Sequence, residues 1–197
     1  MSDNAFLVVG VDPSARKIAI VATHPVLMTI HAESYILYKT TEKQTMASLG
    51  CAVTAMQRFL ASVDGLLTSP RYAWVEDPLI GRGGALTTMK QSYVQGIIRG
   101  MLVHAGFTVY GVNVSTWKKD IVGNGHAEKS DVLRAVKVRW PKIEGLVGSD
   151  GDLADAAAIN LYGQAILDRA GGPGGIETLV QKVRQPRTSR PAYRAVP

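Results

Sequence analysis

Four carboxylate residues stand where a short apolar strand ends or a helix begins, and this placement could assemble a metal site. Asp12 ends the run Phe6–Asp12, Glu76 ends the run Tyr72–Glu76, and Asp152 and Asp155 lie three positions apart. Hard cations such as Mg²⁺ prefer oxygen ligands, and two ions about 4 Å apart can stabilise the attacking and leaving oxygens of a phosphodiester. In a chain with a formal net charge of +6, such a cluster indicates a nuclease.

The two strand-end acids also have ordinary explanations. Asp12 precedes Pro13, a pair that commonly forms a turn. It shares a strand face with Gly10, however, and we expect this to leave room beside the carboxylate. Glu76 is followed by Asp77 on the opposite face, and either could be a solvated strand end. The strands alone leave these alternatives open.

The pair Asp152 and Asp155 lies on one side of the first turn of a predicted helix. The helix dipole and N-terminal capping favour acidic residues there in any protein. The remainder of this segment is apolar, including 153–154 and 156–159, so the helix is predicted to be packed on most sides. Buried carboxylates need compensation, and a metal ion supplies it.

The elements that must position these acids are predicted from hydrophobic periodicity and turn residues. Residues Pro78–Thr88 are predicted as a glycine-containing loop, and a short helical turn is expected near Trp117. The pattern indicates an α/β fold with a mixed five-stranded sheet flanked by helices. The predicted strands are Phe6–Asp12, Lys17–Thr23, Leu27–Tyr38, Tyr72–Glu76 and Thr108–Val112. The predicted helices are Thr45–Val63, about Met89–Ala105, one starting near Glu128, and a final helix that is capped within Asp150–Asp152 and runs to about Arg169.

Two predicted helices carry apolar stripes. The stripe of the first helix is interpreted as core packing. Its members are Met46, Leu49, Val53, Met56, Leu60 and Val63. The second helix is apolar over more of its circumference than one sheet face can bury. Its members are Tyr93, Ile97, Ile98, Met101 and Leu102, with Gly96 and Gly100 between them. They serve either core packing or contact with another subunit.

Length and composition describe an ordinary globular domain of 197 residues. The single Cys51 excludes an intramolecular disulfide and fits a reducing compartment. The sequence shows neither a signal segment nor the roughly 18–20 apolar residues that span a bilayer. We therefore expect a cytoplasmic protein without membrane contact, associated with the nucleoid if it is bacterial or phage-encoded.

The C-terminal segment differs in composition from the rest. We expect a nuclease domain over residues 1–170 and a flexible basic tail over residues 171–197, because the tail is rich in glycine, proline and cations. It contains no acidic residue after Glu177. It is either a solubilising terminus or a contact for phosphates. Its cations are Lys182, Arg184, Arg187, Arg190 and Arg194.

Five motifs, in order along the chain, resemble those of the RuvC family of Holliday-junction resolvases, which has a ribonuclease-H-like fold. The resemblance runs from about residue 6 to about residue 165. Two departures are visible: Ser14 stands where the family often has Gly, and the segment 78–82 lacks the aromatic residue that stacks on a junction base in well-studied members. The motifs are Gly10-Val11-Asp12-Pro13-Ser14, Trp74-Val75-Glu76, Trp117-Lys118-Lys119 with Val122-Gly123-Asn124-Gly125, Ala127-Glu128-Lys129-Ser130, and Asp152-Leu153-Ala154-Asp155-Ala156.

The resemblance implies a structure-selective endonuclease that makes paired symmetric nicks in Holliday junctions and other branched DNA. It implies that Asp12, Glu76, Asp152 and Asp155 bind two Mg²⁺ ions, with Mn²⁺ able to substitute, and that Lys118 and Lys129 lie near the scissile phosphate. It also implies a homodimer, since a four-way junction needs two matched cuts. The expected DNA-binding residues are Arg82, Lys90, Lys118, Lys119, Lys129, Lys182, Arg184 and Arg187.

Three other functions remain open from the sequence. Another ribonuclease-H-like nuclease, acting on RNA–DNA hybrids or flaps, would use the same acids. An actin-like nucleotide-binding domain would need glycines after the first-strand acid, where this chain has Pro13-Ser14-Ala15. A non-catalytic DNA-binding scaffold would not need four acids.

Overall fold

The fold is built on one mixed five-stranded sheet. The computed structural model describes residues 6–24, 28–39, 45–66, 70–78, 84–172 and 174–176. Its strands are β1 (Leu7–Pro13), β2 (Lys17–His24), β3 (Met28–Ile36), β4 (Arg71–Glu76) and β5 (Thr108–Val112). In the strand order β3-β2-β1-β4-β5, the first three strands form an antiparallel meander, while β4 pairs with β1 and β5 with β4 in parallel. The predicted sheet is thereby confirmed.

The described helices pack on both faces of the sheet, which gives an α/β/α layer structure. Their bounds are α1 (Met46–Ser62), α2 (Gly84–His104), α3 (Val114–Val122), α4 (Lys129–Arg139), α5 (Glu144–Val147) and α6 (Gly151–Arg169). No helix among the described residues is long and apolar enough to cross a membrane.

One face of the sheet packs against α1 and α2. Alternate residues of β1, including Val9 and Val11, point into this layer and are fully buried. From the helices, Phe59 and Ile98 are also fully buried and lie in the same cluster. The main hydrophobic core therefore lies on the side of the sheet away from Gly10 and Asp12.

The opposite face of the sheet packs against α6. A Cβ atom at Gly10 would lie 2.2 Å from the carbonyl oxygen of Ala156, so the α6 backbone touches β1 at this position. The fully buried Asn160 fixes this contact by donating to the carbonyls of Val8 and Val21 at 2.8 and 3.1 Å. The room expected beside Asp12 is thus filled by a helix.

The predicted stripe of α1 is confirmed in part. Met56 and Val63 are buried in the core, and Leu49 and Leu60 pack against it. Met46 and Val53, however, are 82% and 36% exposed. The buried face instead uses Ala52 and Ala55, because small side chains let the helix approach the sheet closely. Its buried residues are Ser48, Ala52, Ala55, Met56 and Phe59.

The second helix differs from its prediction in two ways. It begins at Gly84 rather than near Met89, since the good helix formers Ala85 and Leu86 follow the glycine cluster that suggested a loop. Ile98 and Leu102, which the sequence offered for contact with another subunit, are fully buried in the core. The expected turn near Trp117 is the nine-residue helix α3.

Internal contacts divide the chain into two compact units, Met1–Ala165 and Ile166–Pro197. In the second unit, α6 ends at Arg169, and Gly171 and Gly172 follow with φ angles of 69° and 102°. The predicted basic tail lies mostly outside the described residues, and its role stays a prediction.

Candidate active site

Three of the predicted acids meet where α6 crosses β1. Asp12, Asp152 and Asp155 each offer a carboxylate oxygen, and these atoms all lie within 4.8 Å of one another. Asp12 is on the strand face that α6 covers, and the two other acids occupy the first turns of that helix. The close approach at Gly10 brings the helix start to the strand end. The meeting of these acids thus follows from one packing contact.

Two of the three carboxylates, Asp12 and Asp155, are poorly compensated by protein groups. Asp155 is buried, and its Oδ1 has no hydrogen-bond partner among the described residues. Burial raises the pKa of Asp155 to about 6. Burial, with repulsion from Glu76 and Asp155, raises the pKa of Asp12 well above its ordinary value. An orphaned carboxylate oxygen beside two other carboxylates fits a divalent cation, whose charge would compensate all three.

Glu76 lies beside this group of three but outside it. Its Oε2 accepts a hydrogen bond from the indole Nε1 of Trp117 at 2.8 Å, and its backbone carbonyl accepts one from Gln95 at 2.9 Å. Burial raises the pKa of Glu76 to about 7, although the Trp117 bond acts in the opposite direction. The neighbouring Asp77 pairs with Arg99 at 2.7 Å. Glu76, and not Asp77, therefore faces the acid cluster.

Both lysines expected near the phosphate lie close to the acids. Lys129, the first residue of α4, forms an ion pair with Oδ1 of Asp152. Lys118 on α3 donates to the carbonyl of Ala127 at 2.7 Å, and its charge lowers the pKa of Asp155. The loop between α3 and α4 is thus tied to a lysine that neighbours the acid cluster.

The other predicted DNA-binding residues are only partly described. Lys119 is exposed on α3, and Lys90 is partly buried on α2. Arg82, Lys182, Arg184 and Arg187 lie outside the described residues.

Sequence reasoning missed several residues that surround the acids. Trp117 had no assigned role, yet it holds Glu76. Lys17 was treated only as the start of a strand, yet it pairs with Asp150 and Asp152. Asn160 carried the clearest overlooked signal, because it is an amide inside the otherwise apolar run 156–161.

Comparison with known proteins agrees with this geometry. The chain is 27% identical over 156 residues to the Rickettsia akari protein named crossover junction endodeoxyribonuclease RuvC, covering 78% of this chain and 93% of that protein. The Ruegeria pomeroyi protein of the same name is 35% identical over 100 residues, covering 49% of this chain and 58% of its own length. The chain is therefore similar to the Rickettsia akari protein over most of both sequences.

Two solved structures of Thermus thermophilus RuvC show the same fold. Thermus thermophilus RuvC aligns with a TM-score of 0.60 at 23% identity, covering 84% of this chain and 96% of that one. The same protein in complex with a Holliday junction aligns with a TM-score of 0.61, covering 79% and 90%. The chain thus has the predicted ribonuclease-H-like fold. No family model matches the sequence.

Proposed function

We propose that this chain is a structure-selective, metal-dependent endonuclease that cuts four-way junctions and other branched DNA. The observation that carries the proposal is the group of three carboxylates with the unpartnered, buried Asp155 Oδ1. Relatives named crossover junction endodeoxyribonuclease, and the structure of Thermus thermophilus RuvC in complex with a Holliday junction, support the substrate class.

Asp12, Asp152 and Asp155, with Glu76 beside them, would hold the metal, which we propose to be two Mg²⁺ ions. Bound there, divalent cations supply Lewis-acid stabilisation of the phosphate charge and favour deprotonation of the attacking water. Trp117 orients Glu76 through its 2.8 Å hydrogen bond. The ammonium groups of Lys118 and Lys129, which neighbour the acids, would stabilise the additional negative charge of the transition state.

The test separates chemistry from binding. Asp12→Asn and Asp155→Asn should each lower cleavage by about 10²–10⁴-fold, as expected for the loss of a positioned catalytic group. Junction binding should persist or tighten, because each change removes negative charge near phosphates. Cleavage and binding are measured on four-way, three-way, flap, linear and RNA–DNA hybrid substrates, with Mg²⁺ or with a chelator.

Asp64→Asn is the matched control, since this exposed aspartate lies in a separate turn after α1. It should cleave at the unmodified rate. Full cleavage by Asp12→Asn would contradict the mechanism. Preferred cutting of the RNA–DNA hybrid would instead favour the other ribonuclease-H-like activity.

We also propose that the functional unit is a homodimer, formed through α2. An exposed stripe of apolar and small residues recurs at steps of three and four, the spacing of helix–helix seams. The stripe consists of Leu86, Met89, Tyr93, Gly96, Gly100 and Val103. Its four large side chains are 45–60% exposed, and a Cβ atom added at Gly96 or Gly100 would have no neighbour within 4 Å.

Tyr93→Asp should give a folded monomer, because a symmetric interface buries the introduced charge twice. Sedimentation at micromolar concentration measures the change, and Mn²⁺ binding should be retained. Val138→Asp, at an exposed valine of α4, is the matched control. An unmodified protein that is monomeric and still makes paired cuts would refute the dimer.

A further inference from the structure

A lysine of the sheet holds the start of α6. The ammonium of Lys17 lies 2.8 Å from both oxygens of Asp150 and 3.1 Å from Oδ2 of Asp152. Asp150 is in turn the N-terminal cap of α6, since its Oδ1 accepts from the backbone N–H of Asp152 at 3.0 Å. Ser34 on β3 donates to Oδ2 of Asp150 at 2.9 Å. Lys17 therefore contacts both the cap of the helix and one of its site carboxylates.

The position of Lys17 is fixed by the turn between β1 and β2. Its backbone N–H donates to Oγ of Ser14 at 2.9 Å, and its carbonyl accepts from the Ser14 backbone N–H at 2.8 Å. The side chain of Lys17 is 26% exposed. Lys17 is thus held at both ends, through its backbone by Ser14 and through its ammonium by the two aspartates.

The two oxygens of Asp152 are divided between two lysines. Oδ1 pairs with Lys129 and Oδ2 pairs with Lys17. The side chain of Lys129 is 62% exposed, whereas that of Lys17 is 26% exposed and also bound to Asp150. Lys17 is therefore the more firmly held of the two lysines that contact Asp152.

We propose that Lys17 is a positioning residue that holds Asp152 through Oδ2 and, as a fixed positive charge, weakens divalent-cation binding at this carboxylate. The inference rests on the proposed metal-dependent function. Like charges repel most strongly at close range and in partly buried sites, so a cation entering beside Asp152 meets repulsion from the Lys17 ammonium. It also competes with that ammonium for the electrons of Oδ2.

The sign of the effect distinguishes this role from a merely structural one. If Lys17 only supported the fold, its removal would loosen the site and weaken metal binding. If Lys17 is a competing charge, its removal should instead make metal binding tighter. Mn²⁺ alone, without DNA, is titrated calorimetrically into the full chain, and Lys17→Met should bind Mn²⁺ about three- to tenfold more tightly than the unmodified protein.

Two variants control for charge and position. Lys17→Arg should keep the unmodified affinity, since the positive charge remains. Lys142→Met removes an exposed lysine from the turn before α5 and should also leave the affinity unchanged. Circular dichroism checks folding, and if Lys17→Met does not fold, Lys17→Gln carries the same expectation.

Two failures can be told apart. Mn²⁺ binding that depends on Asp12 but is unchanged or weaker in the Lys17 variant would overturn this inference alone. An unmodified protein that binds no Mn²⁺ would overturn the proposed metal-dependent function and the inference with it.

Discussion

The acids of the site divide into two classes by their surroundings. Burial raises the pKa of Glu76 to about 7 and that of Asp155 to about 6. Burial alone would also raise the pKa of Asp152, but hydrogen bonds from Lys129 and Lys17 lower it below its ordinary value. Asp152 therefore stays charged to lower pH than Glu76 and Asp155, which bind protons below about pH 7 and pH 6 that a metal ion would have to displace.

This difference predicts how the metal-free protein responds to pH. The folded pKa values of Glu76 and Asp155 lie above their ordinary values, so the folded state binds more protons than the unfolded state between about pH 4 and pH 7. Their contribution to stability is present at low pH and is lost as the pH rises through 6 and 7. The melting temperature without metal should thus fall between pH 5 and pH 8 more steeply than in the variant Glu76→Gln.

The comparison with Glu76→Gln isolates the site from other titrating groups. The buried His31, whose pKa burial lowers, contributes with the opposite sign near pH 6 and cancels in the difference. Divalent metal should raise the melting temperature more at pH 8 than at pH 5. Equal pH slopes in the two proteins would count against the raised pKa of Glu76.

At the scale of elements, the site depends on how closely α6 lies on β1. The contact at Gly10 sets the distance, and the buried amide of Asn160 sets the register by binding carbonyls of two strands. The helix then carries Asp152 and Asp155 to the end of the strand that carries Asp12. Any change that lifts the helix should separate these acids.

Gly10→Ala tests this dependence. Its methyl group would lie 2.2 Å from the Ala156 carbonyl oxygen and 2.4 Å from the Asn160 nitrogen, so the helix backbone must move. We expect a loss of about 3 kcal/mol in the free energy of unfolding, as for an overpacked core, and weaker Mn²⁺ binding. Gly50→Ala, in open space on α1, is the matched control and should stabilise by about 0.5–1 kcal/mol. Unchanged metal affinity in Gly10→Ala would show that the site tolerates movement of the helix.

At the scale of the whole molecule, the positive charge is concentrated at the C-terminus. Residues 182–194 contain five Lys and Arg residues and no acidic residue, whereas the formal net charge of the whole chain is +6. Truncation after Gln181 should weaken binding of all DNA shapes alike and flatten the salt dependence, whose slope is about −0.9 per phosphate contact. The cleavage rate at saturating DNA should stay unchanged. Salt titrations of binding measure the slope, and an unchanged slope would assign the tail to another partner.

Local sequence patterns determined the strand order along the chain, the cap at Asp150 and the identity of the candidate acids. These features depend on neighbouring residues, whose periodicity and turn preferences are visible without a fold. Met46 and Val53 were wrongly placed on the buried face of α1, because a local pattern does not show which side of a helix meets the sheet. The start of α2 was predicted too late, because the glycines before it suggested a loop.

Only the tertiary structure decided how the acids are held. Trp117 is 41 positions from Glu76, and Lys17 is 133 positions from Asp150. No local pattern links such residues, because their contacts arise when strands and helices pack. The same holds for Gly10, which the sequence showed only as empty space beside Asp12. In the folded chain α6 fills that space, and this contact brings the carboxylate of Asp12 within 4.8 Å of those of Asp152 and Asp155.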